Sequence, residues 1–360
     1  MKLLILSDAA APHTRRWANW FAANGHEVHV ITFNDQLDSG YLSVVVHSVW
    51  KDELSAAFFS RFVRSFRILL RLRKLINEIK PDIVHSHSMG SYAWVATVLN
   101  LRPRVLTPWG TDLLVDINAS VVNRFLTKWS LRSADLVTTD AEYFFEPLEK
   151  LGVNKSRLIL VPFGTDVGLF KPISKKTSDT SLKIVSTRTL NPVHSVEDLI
   201  SVIPGLLVSK PTIQFVIVGG GANLEEFRNR ISELGLLDRV TFTGMLDEKS
   251  LIEVLQNSDV YVSTSPLDAG LAASTAEAMA CGLPVIHPDV ADNRIWADQR
   301  GGAIYTANNQ EELKSALMAL IALSKLERVL MGETNRKTII SRNNLDSNMN
   351  FMQSAYLKLL

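Results

Sequence analysis

The chain has 360 residues, 46% of them hydrophobic and 21% charged, and at about 150 residues per domain this length predicts two domains with large apolar cores. Its single cysteine, Cys281, excludes an intramolecular disulfide framework and favours a reducing, cytoplasmic location. The formal net charge of +1 argues against a nucleic-acid partner, and without an uninterrupted apolar run of about 18 residues no membrane-spanning helix is expected.

Short β-rich runs alternate with helical patterns through the first half of the chain. In order, the predicted strands are KLLILSD, EVHVITF, PDIVHSH, RVLTPWG, ADLVTTD and LILVPFG. Each run ends in turn-forming or polar residues, and strands that alternate with helices favour a parallel sheet with helices on both faces. We therefore expect a first doubly wound domain over residues 1–165.

A basic amphipathic helix is predicted within this half, over residues 58–74. Arginine and lysine recur three or four residues apart beside an apolar residue at every fourth position. One interpretation is a core-facing apolar stripe with a solvated basic face, and the other is peripheral contact with an anionic membrane. The basic positions are Arg61, Arg64, Arg67, Arg71 and Lys74, and the apolar positions are Phe58, Phe62, Phe66 and Leu70.

The alternation breaks at residues 166–181, where polar and turn-forming residues predict a linker. It resumes with LKIVSTR, QFVIVGGG, VTFTG, DVYVSTS and LPVIHP, so residues 182–344 predict a second doubly wound domain. Ligands of such sheets bind beyond the carboxyl ends of the strands. With two facing domains, the expected site is the cleft between them.

The stretch DAGLAASTAEAMACGLPVI, residues 268–286, is the most informative part of the sequence. Ser274 and Glu277 fit a capping box, in which Glu277 only caps its own helix. The alternative is a ligand site, because a loop of small residues before a helix N-terminus lets an anion approach the backbone amides. A carboxylate one turn into that helix can accept hydrogen bonds from a diol. This pattern suits a nucleotide sugar, with the diphosphate on the amides and the ribose on Glu277.

These residues resemble the family 4 group of GT-B retaining glycosyltransferases. Residues 277–286, EAMACGLPVI, match the motif of that family without a gap. The similarity extends over almost the whole chain, through Gly25 to Val28, PFGTDVGLFKP, VIVGGG, RVTFTG and the Asn293-Arg294 pair. It implies an α/β fold of two Rossmann-like domains that face across a cleft, a retaining hexosyl-type transferase, and residues 345–360 that cross back onto the first domain near Tyr356.

The resemblance also implies donor-binding residues in the second domain. Glu277 matches the second acid of the family motif, which holds the ribose, whereas the first acid falls on Ala269. Asp268 is the neighbouring candidate to hold the donor sugar. Arg188 matches the arginine of the diphosphate clamp, and His194 stands where the family has a lysine. The remaining candidates are Gly270, Leu271, Ala272 and Thr275 beside the donor, and Gly244 and Met245 beside its base.

Two of these features have simpler interpretations. Arg188 could form a surface ion pair, although its place directly after a strand favours a ligand. The glycines of Val218 to Gly221 could bind phosphate or simply form a tight turn from strand to helix.

Candidate acceptor contacts lie in the first domain, where Asp8, His13, Arg15 and Arg16 follow the first strand. His85 and His87 end another strand with the same parity, so both point to one face. Asp112 is a candidate to orient an acceptor hydroxyl, and its alternative role is turn capping beside Gly110. Trp109 replaces a histidine that many members of the resembling family carry. We list His87 and Asp112 with Arg188 and Glu277 as catalytic candidates, and no metal ligand set is evident.

The sequence thus predicts a cytoplasmic, metal-independent retaining glycosyltransferase without a cofactor. It would transfer a sugar from a nucleotide diphosphate sugar to a saccharide or lipid-linked saccharide, as in surface polysaccharide or lipopolysaccharide synthesis. Two alternatives are a sugar-nucleotide epimerase of the same fold and a non-catalytic partner subunit. The substitutions Ala269, His194 and Trp109 motivate the second alternative, and the presence of Arg188 and Glu277 argues against it.

Overall fold

The computed structural model describes residues 1–34, 40–49, 58–114, 116–173, 181–297 and 300–360, without the side chains of residues 58–66, 111, 114 and 116. These residues form two compact units. The first contains Met1–Pro162 together with Asp346–Leu360, and the second contains Phe163–Leu345.

The first unit is built on a seven-stranded parallel sheet. Its strands are β1 (Lys2–Leu6), β2 (Glu27–Thr32), β3 (Val44–Ser48), β4 (Ile83–His87), β5 (Arg104–Thr107), β6 (Leu136–Thr139) and β7 (Leu158–Leu160). Its helices are α1 (Pro12–Ala23), α2 (Phe58–Ile79), α3 (Ser91–Val98), α4 (Thr111–Leu114), α5 (Val121–Ser133) and α6 (Phe145–Lys150). The strand order β3-β2-β1-β4-β5-β6-β7 reverses direction between β1 and β4, as in doubly wound folds that bind ligands at that point.

The second unit repeats the same plan with six parallel strands. The strands are β8 (Lys183–Ser186), β9 (Gln214–Val218), β10 (Val240–Gly244), β11 (Val260–Val262), β12 (Val285–Pro288) and β13 (Gly302–Tyr305). The helices are α7 (Val196–Ser209), α8 (Leu224–Glu233), α9 (Glu248–Gln256), α10 (Ala273–Ala280), α11 (Asn293–Trp296), α12 (Gln310–Ala322) and α13 (Lys325–Arg342). The order is β10-β9-β8-β11-β12-β13, so the direction reverses between β8 and β11.

Both faces of the second sheet are covered by helices, and the strand sequences explain why. Successive side chains of a strand point to opposite faces. Ile184 of β8 packs against α7 and α12, whereas the next residue, Val185, packs in the cluster of α9 and α10. Ile184 and Val185 are both buried, although they point to opposite faces of the sheet. Burial on both faces explains why this strand is an apolar run without alternating polar residues. The doubly wound fold expected for both domains is confirmed.

The last helix, α14 (Leu345–Leu357), belongs largely to the first unit. Its Tyr356 is fully buried and lies against the ring of Phe21 on α1. Asp346, in its first turn, accepts a hydrogen bond from the indole nitrogen of Trp20 at 2.8 Å. The C-terminal residues are therefore part of the first core.

The boundary between the units differs from the expected linker over residues 166–181. Phe170 is fully buried in the core of the second unit, and the guanidinium of Arg336 donates hydrogen bonds to the carbonyls of Val167 and Phe170. The first part of that segment is thus an integral part of the second unit. Residues 174–180 lie outside the described residues.

The basic segment over residues 58–74 is helical, as expected, and lies within α2. The core-facing interpretation of the stripe is wrong at Leu70, which is 52% exposed, because the buried side of α2 passes through Leu72, Ile76 and Ile79 instead. The side chains of the three phenylalanines in the predicted stripe lie outside the described residues. None of the helices in the described ranges is long and apolar enough to cross a bilayer.

Candidate functional site

The candidate donor residues of the second unit come together at the reversal point of its sheet. Arg188 follows β8, and Ser265 and Asp268 follow the neighbouring strand β11. The carboxyl ends of parallel strands meet at one edge, so residues 80 positions apart in the chain become neighbours. This edge is where a doubly wound sheet holds its ligand.

Arg188 is the centre of this cluster. Its Nη2 donates to Oδ1 of Asp268 at 2.6 Å, and its Nη1 donates to the hydroxyl of Ser274 at 3.3 Å. The side chains of Arg188 and Asp268 are only 11% and 12% exposed. Burial raises the pKa of Asp268, and the facing guanidinium opposes that shift. The pair is a shielded ion pair and not the surface pair considered from the sequence.

His194 completes the cluster on a short 3-10 turn, Pro192–His194. Its Nδ1 lies 3.1 Å from Nη2 of Arg188 and 3.3 Å from the hydroxyl of Ser265. Because a guanidinium only donates, Nδ1 accepts and the ring proton is assigned to Nε2. Burial and the charge of Arg188 lower the pKa of His194 to about 4. The imidazole is therefore neutral near pH 7, where the family lysine would be charged.

The N-terminus of α10 faces this cluster through Ser274. The helix begins at Ala273, and its N-cap residue, Ala272, makes no capping hydrogen bond with its side chain. The capping box expected from Ser274 and Glu277 is thus wrong. Ser274 is the second residue of the helix, and its hydroxyl turns to Arg188 instead of accepting from the amide of residue 277. A helix N-terminus beside an arginine is chemically suited to an anion.

Glu277 lies one turn into α10 and is 6% exposed. Its charge contributes to raising the pKa of the Cys281 thiol to about 12, although burial is the larger cause. Thr275 is also buried, as are Gly270 and Leu271, whereas Ala272 is half-buried. The loop before α10 is therefore largely buried.

Tyr261 supports the cluster and was not singled out from the sequence. It is fully buried on β11, and its hydroxyl lies 3.5 Å from that of Thr187. Burial raises the pKa of this phenol, and the charge of Arg188 opposes that shift. From the sequence alone, a tyrosine in the middle of a buried strand is expected to be a core residue. Its place near Arg188 depends on the order of the strands in the sheet.

The glycine run after β9 shapes the backbone around Arg188. Gly219 and Gly221 have φ angles of +137° and +148°, and a Cβ on either would lie within 2.6 Å of the carbonyl oxygen of Arg188 or Leu190. Glycine is required at both positions for the conformation and for the close approach. The tight-turn interpretation of these glycines is supported, and the turn holds the loop that carries Arg188.

The segment predicted to lie near the base begins where β10 ends. The carbonyl of Gly244 accepts hydrogen bonds from the amide of Gly219 and the hydroxyl of Thr243, both at 2.9 Å. Met245 is 72% exposed, and a Cβ on Gly220 would lie 3.3 Å from its side chain. The exposed thioether is thus available for contact with a planar ring.

In the first unit, His85 and His87 lie at the carboxyl end of β4, with ring centroids 4.5 Å apart. His85 is a fully bonded structural residue, since Nδ1 lies 2.5 Å from the hydroxyl of Tyr356 and Nε2 lies 2.5 Å from that of Thr107. Neither ring nitrogen of His87 has a hydrogen-bond partner among the described residues, although the side chain is fully buried. Burial, followed by the charge of His13, lowers its pKa to about 3.

Aromatic rings surround His87. The Trp17 and Trp109 rings lie 5.1 Å and 5.9 Å from it, and the His13 ring lies 6.3 Å from that of Trp109. Asp8, a candidate acceptor contact, forms hydrogen bonds within the first unit. Its Oδ1 accepts hydrogen bonds from the amide of Ala10 and the side chain of Asn34.

Asp112 connects the ends of two strands. Its Oδ2 accepts from the amide of Met89 at 2.7 Å, and its two oxygens accept from the amide of Trp109 at 3.0 and 3.1 Å. Burial raises the pKa of Asp112, partly against these donors. These hydrogen bonds support the turn-capping role of Asp112. Its contact with an acceptor hydroxyl stays a prediction.

Comparison with known proteins supports the class defined by this fold and these residues. Residues 2–141 match the family model described as glycosyl transferase 4-like, and residues 170–338 match that of glycosyl transferases group 1. The two matched ranges fall one in each unit.

Individual relatives agree. The chain is 28% identical to the phosphatidyl-myo-inositol mannosyltransferase of Mycobacterium leprae, over 70% of this chain and 67% of that protein. It is 24% identical to an α-1,3-galactosyltransferase of Escherichia coli that uses UDP-galactose and GlcNAc-diphosphoundecaprenol, over 83% of this chain and 81% of that protein. Matched stretches span from 34% to 81% of the relatives' own lengths.

The same fold occurs in Anabaena HepE, whose crystal structure contains UDP-glucose. The TM-score is 0.81 at 18% identity, and the match covers 100% of both chains. The likeness to HepE shows the GT-B fold, and the family models over residues 2–141 and 170–338 show that the protein is a glycosyltransferase. More particularly, the chain belongs to the group 1 glycosyltransferases of family 4, as its sequence motifs indicated.

Proposed function

We propose that the protein transfers a hexose from a nucleotide diphosphate sugar to a saccharide acceptor, with retention of the anomeric configuration, and that the natural acceptor is linked to a lipid. The donor assignment rests mainly on the buried Arg188 beside the N-terminus of α10, at the reversal point of the second sheet. Both groups favour negative charge, and both are held in place before a ligand arrives.

The diphosphate binds between Arg188 and the first amides of α10. Gly270, Leu271 and Ala272 precede the helix, and none of them carries a polar or charged side chain; the small Gly270 and Ala272 let phosphate oxygens reach the backbone. Nε2 of His194 offers a neutral donor. Binding requires Arg188 to exchange Asp268 for phosphate, and the released carboxylate is then free to accept hydrogen bonds from hydroxyls of the transferred sugar.

The nucleoside binds on either side of this position. Glu277, one turn into α10, accepts hydrogen bonds from the ribose diol. Gly244 and Met245 contact the base through backbone groups and the exposed thioether. These contacts fix the donor while the bond to the leaving group breaks.

The transfer step needs little acid–base chemistry from the protein. The acceptor hydroxyl attacks the anomeric carbon on the face of the leaving group, and the bond from that carbon to the phosphate oxygen breaks. The departing phosphate oxygen takes the hydroxyl proton, so a nucleoside diphosphate and the glycoside are the only products. Arg188 and the α10 amides stabilise the charge that develops on the diphosphate.

The acceptor binds at the carboxyl edge of the first sheet, where His87, Asp112 and Trp109 lie. The lipid link is supported by the two relatives named above, whose names specify lipid or diphosphoundecaprenol acceptors. The exposed basic residues Arg67, Arg71 and Lys74 of α2 suit peripheral contact with an anionic membrane over residues 58–74. A role in surface polysaccharide or lipopolysaccharide synthesis, on the cytoplasmic side, follows from this acceptor class.

The test begins with a thermal-shift screen of UDP, GDP, ADP and CMP with their common sugar conjugates, because a ligand of the native state raises the melting temperature. The stabilising sugar nucleotide is then incubated with a panel of acceptor saccharides in EDTA, and the anomeric proton of the product is assigned by NMR. We expect transfer with retention and without added metal.

Other outcomes would replace the proposal. Turnover of the donor into an isomer without an acceptor would identify an epimerase. Donor binding without turnover on any acceptor would identify a partner subunit. An inverted product would refute the retaining mechanism, and activity abolished by EDTA would refute metal independence.

A further inference from the structure

Helix α5 of the first unit carries its apolar residues on the outside. Its three buried residues are Thr127, Ser130 and Leu131, two of which bear hydroxyls. The exposed positions are instead Val121, at 86%, Val122, at 64%, Phe125, at 66%, and Trp129, at 42%. A surface helix of a globular protein normally buries residues of this kind, so the outer face of α5 is an unpartnered apolar surface.

These residues form a continuous stripe. At about 100° per residue, Val121, Phe125 and Trp129 succeed one another at four-residue intervals on one face, and Val122 lies at the edge of that face. Val98 at the end of α3, the helix that contacts α5, is also 48% exposed. The apolar stripe therefore extends over about two turns of α5.

The charged residues of α5 itself all have one sign. Arg124 and Lys128 lie four residues apart along its flank, and Arg132 follows them. The sequence of α5, VVNRFLTKWSLRS, contains no aspartate or glutamate. An apolar stripe with an aromatic residue and flanking basic residues is the composition of helices that lie in the interface of an anionic bilayer.

We propose that the outer face of α5 binds the surface of an anionic lipid membrane. The evidence for this contact is the exposure and charge of α5 itself, and it deepens the lipid-linked acceptor of the proposed function by adding a membrane element separate from α2. Val121, Val122, Phe125 and Trp129 enter the boundary between headgroups and acyl chains, and Arg124 and Lys128 meet the lipid phosphates.

A second copy of the chain is a poorer occupant of this face. In a twofold interface the same patch meets itself. Arg124 and Lys128 of both copies would then approach one another, and α5 offers no carboxylate to compensate them, so like-charge repulsion opposes that contact. An anionic lipid surface complements these charges.

The position of α5 in the fold connects membrane contact to acceptor binding. The helix follows β5 through Trp109 and α4, so its N-terminal end lies toward the carboxyl edge of the first sheet, where His87 and Asp112 are found. Val121 and Val122 are at that end. Membrane contact through α5 would bring this edge close to the headgroups, where the sugar of a lipid-linked acceptor is displayed.

The experiment measures binding of the full-length protein to vesicles of phosphatidylcholine with and without phosphatidylglycerol, by co-sedimentation. We expect binding only to the anionic vesicles, and a loss of affinity with rising salt. The double variant Phe125→Ser/Trp129→Ser should lower the partition coefficient by at least about tenfold, since each large side chain no longer leaves water. Arg124→Gln/Lys128→Gln should lower it by about fivefold or more on anionic vesicles.

Matched controls come from α14. Phe351 is 51% exposed and Lys358 is exposed, so Phe351→Ser and Lys358→Gln remove similar groups from another helix of the same unit and should leave vesicle binding unchanged. Arg124, Phe125, Trp129 and the two control residues are exposed and Lys128 is half-buried, so no core side chain is altered and the melting temperatures should stay within about 1 °C of wild type.

Wild-type vesicle binding by both α5 variants, or an equal loss in the α14 controls, would overturn the proposal. A wild-type dimer that the Phe125→Ser/Trp129→Ser variant converts to a monomer, with unchanged vesicle binding, would assign α5 to an interface between copies. Donor binding, measured by thermal shift, should be the same in the wild type and in the α5 variants. Loss of vesicle binding therefore tests α5, whereas absence of any nucleotide shift in the wild type tests the proposed function.

Discussion

Arg188 and Asp268 form an ion pair at 2.6 Å whose two side chains are about nine-tenths buried. The arginine proposed to bind the donor diphosphate is thus neutralised in the free protein by the carboxylate proposed to bind the donor sugar. Desolvation makes such a pair costly to break, because either charge left alone is buried without compensation. A diphosphate can compensate Arg188 as Asp268 does, so the proposed donor binding is an exchange of anions at one guanidinium.

This exchange predicts the behaviour of Asp268→Asn. The variant should unfold more easily without ligand, by about 2 kcal/mol or more, since Arg188 loses its counter-ion. The increase in melting temperature on adding the preferred nucleoside diphosphate should be larger than in wild type, because no carboxylate competes for Arg188. The measurement is a thermal-shift titration with UDP, GDP and ADP.

The control is Asp289→Asn, which breaks the exposed pair with Arg294 and should change neither quantity appreciably. An unchanged or smaller nucleotide shift in Asp268→Asn would show that Asp268 does not compete with the diphosphate.

Glu277→Gln tests the ribose contact. The substitution keeps the size of this buried side chain and removes its charge, so charge-assisted hydrogen bonds to the diol become ordinary ones. We expect nucleotide affinity to fall by about ten- to a hundredfold, measured by calorimetry. Glu253→Gln, at an exposed position on α9, is the matched control. Wild-type affinity in Glu277→Gln would remove the ribose role and leave Glu277 as a structural residue of α10.

The sequence predicted the two parallel sheets and the family, because strand patterning and an ungapped motif are local signals. It did not predict the ion pair, since Arg188 and Asp268 were each assigned to a ligand, and their contact depends on β8 lying next to β11. The capping box failed for a local reason. The helix begins one residue before Ser274, so that serine has helical geometry and its hydroxyl turns to Arg188.

The outward stripe of α5 could not be predicted from periodicity, which cannot distinguish an apolar face turned to the core from one turned to solvent. The buried face of α5 is partly hydroxylic, and Ser130 accepts a hydrogen bond from Thr97 at 2.9 Å. Such a contact satisfies polar groups inside the unit and leaves the valines, Phe125 and Trp129 outside. Leu70 was misassigned for a related reason, because burial along α2 follows contacts with α3 and the sheet.

Asp112→Ala separates the two roles considered for this carboxylate. The substitution removes the acceptor for the amides of Met89 and Trp109, and each buried N–H left unpaired costs about 1–3 kcal/mol. We therefore expect a loss of about 2 kcal/mol or more in the free energy of unfolding, measured in urea. A variant with wild-type stability that binds donor and fails to transfer it would identify Asp112 as an acceptor-binding residue and not a cap.

We expect the burial of His87 to make the stability of the protein depend on pH in the acidic range. Its pKa is lowered to about 3 in the folded protein, whereas an unfolded histidine titrates near 6.5. Between these values the unfolded state binds a proton that the folded state does not, so stability falls as the pH falls through this window, by up to about 1.4 kcal/mol per pH unit for one such group. Above about pH 6.5 the effect disappears. His87→Phe and His87→Gln should both flatten the dependence of the free energy of unfolding on pH between 6.5 and 4, measured by urea denaturation. A slope equal to that of wild type in both variants would show that His87 is not the group that resists protonation.

Transfer at pH 8, where this titration is complete, tests the acceptor role separately. There His87→Phe should keep nucleotide affinity and lose transfer if the unpartnered ring nitrogens bind the acceptor.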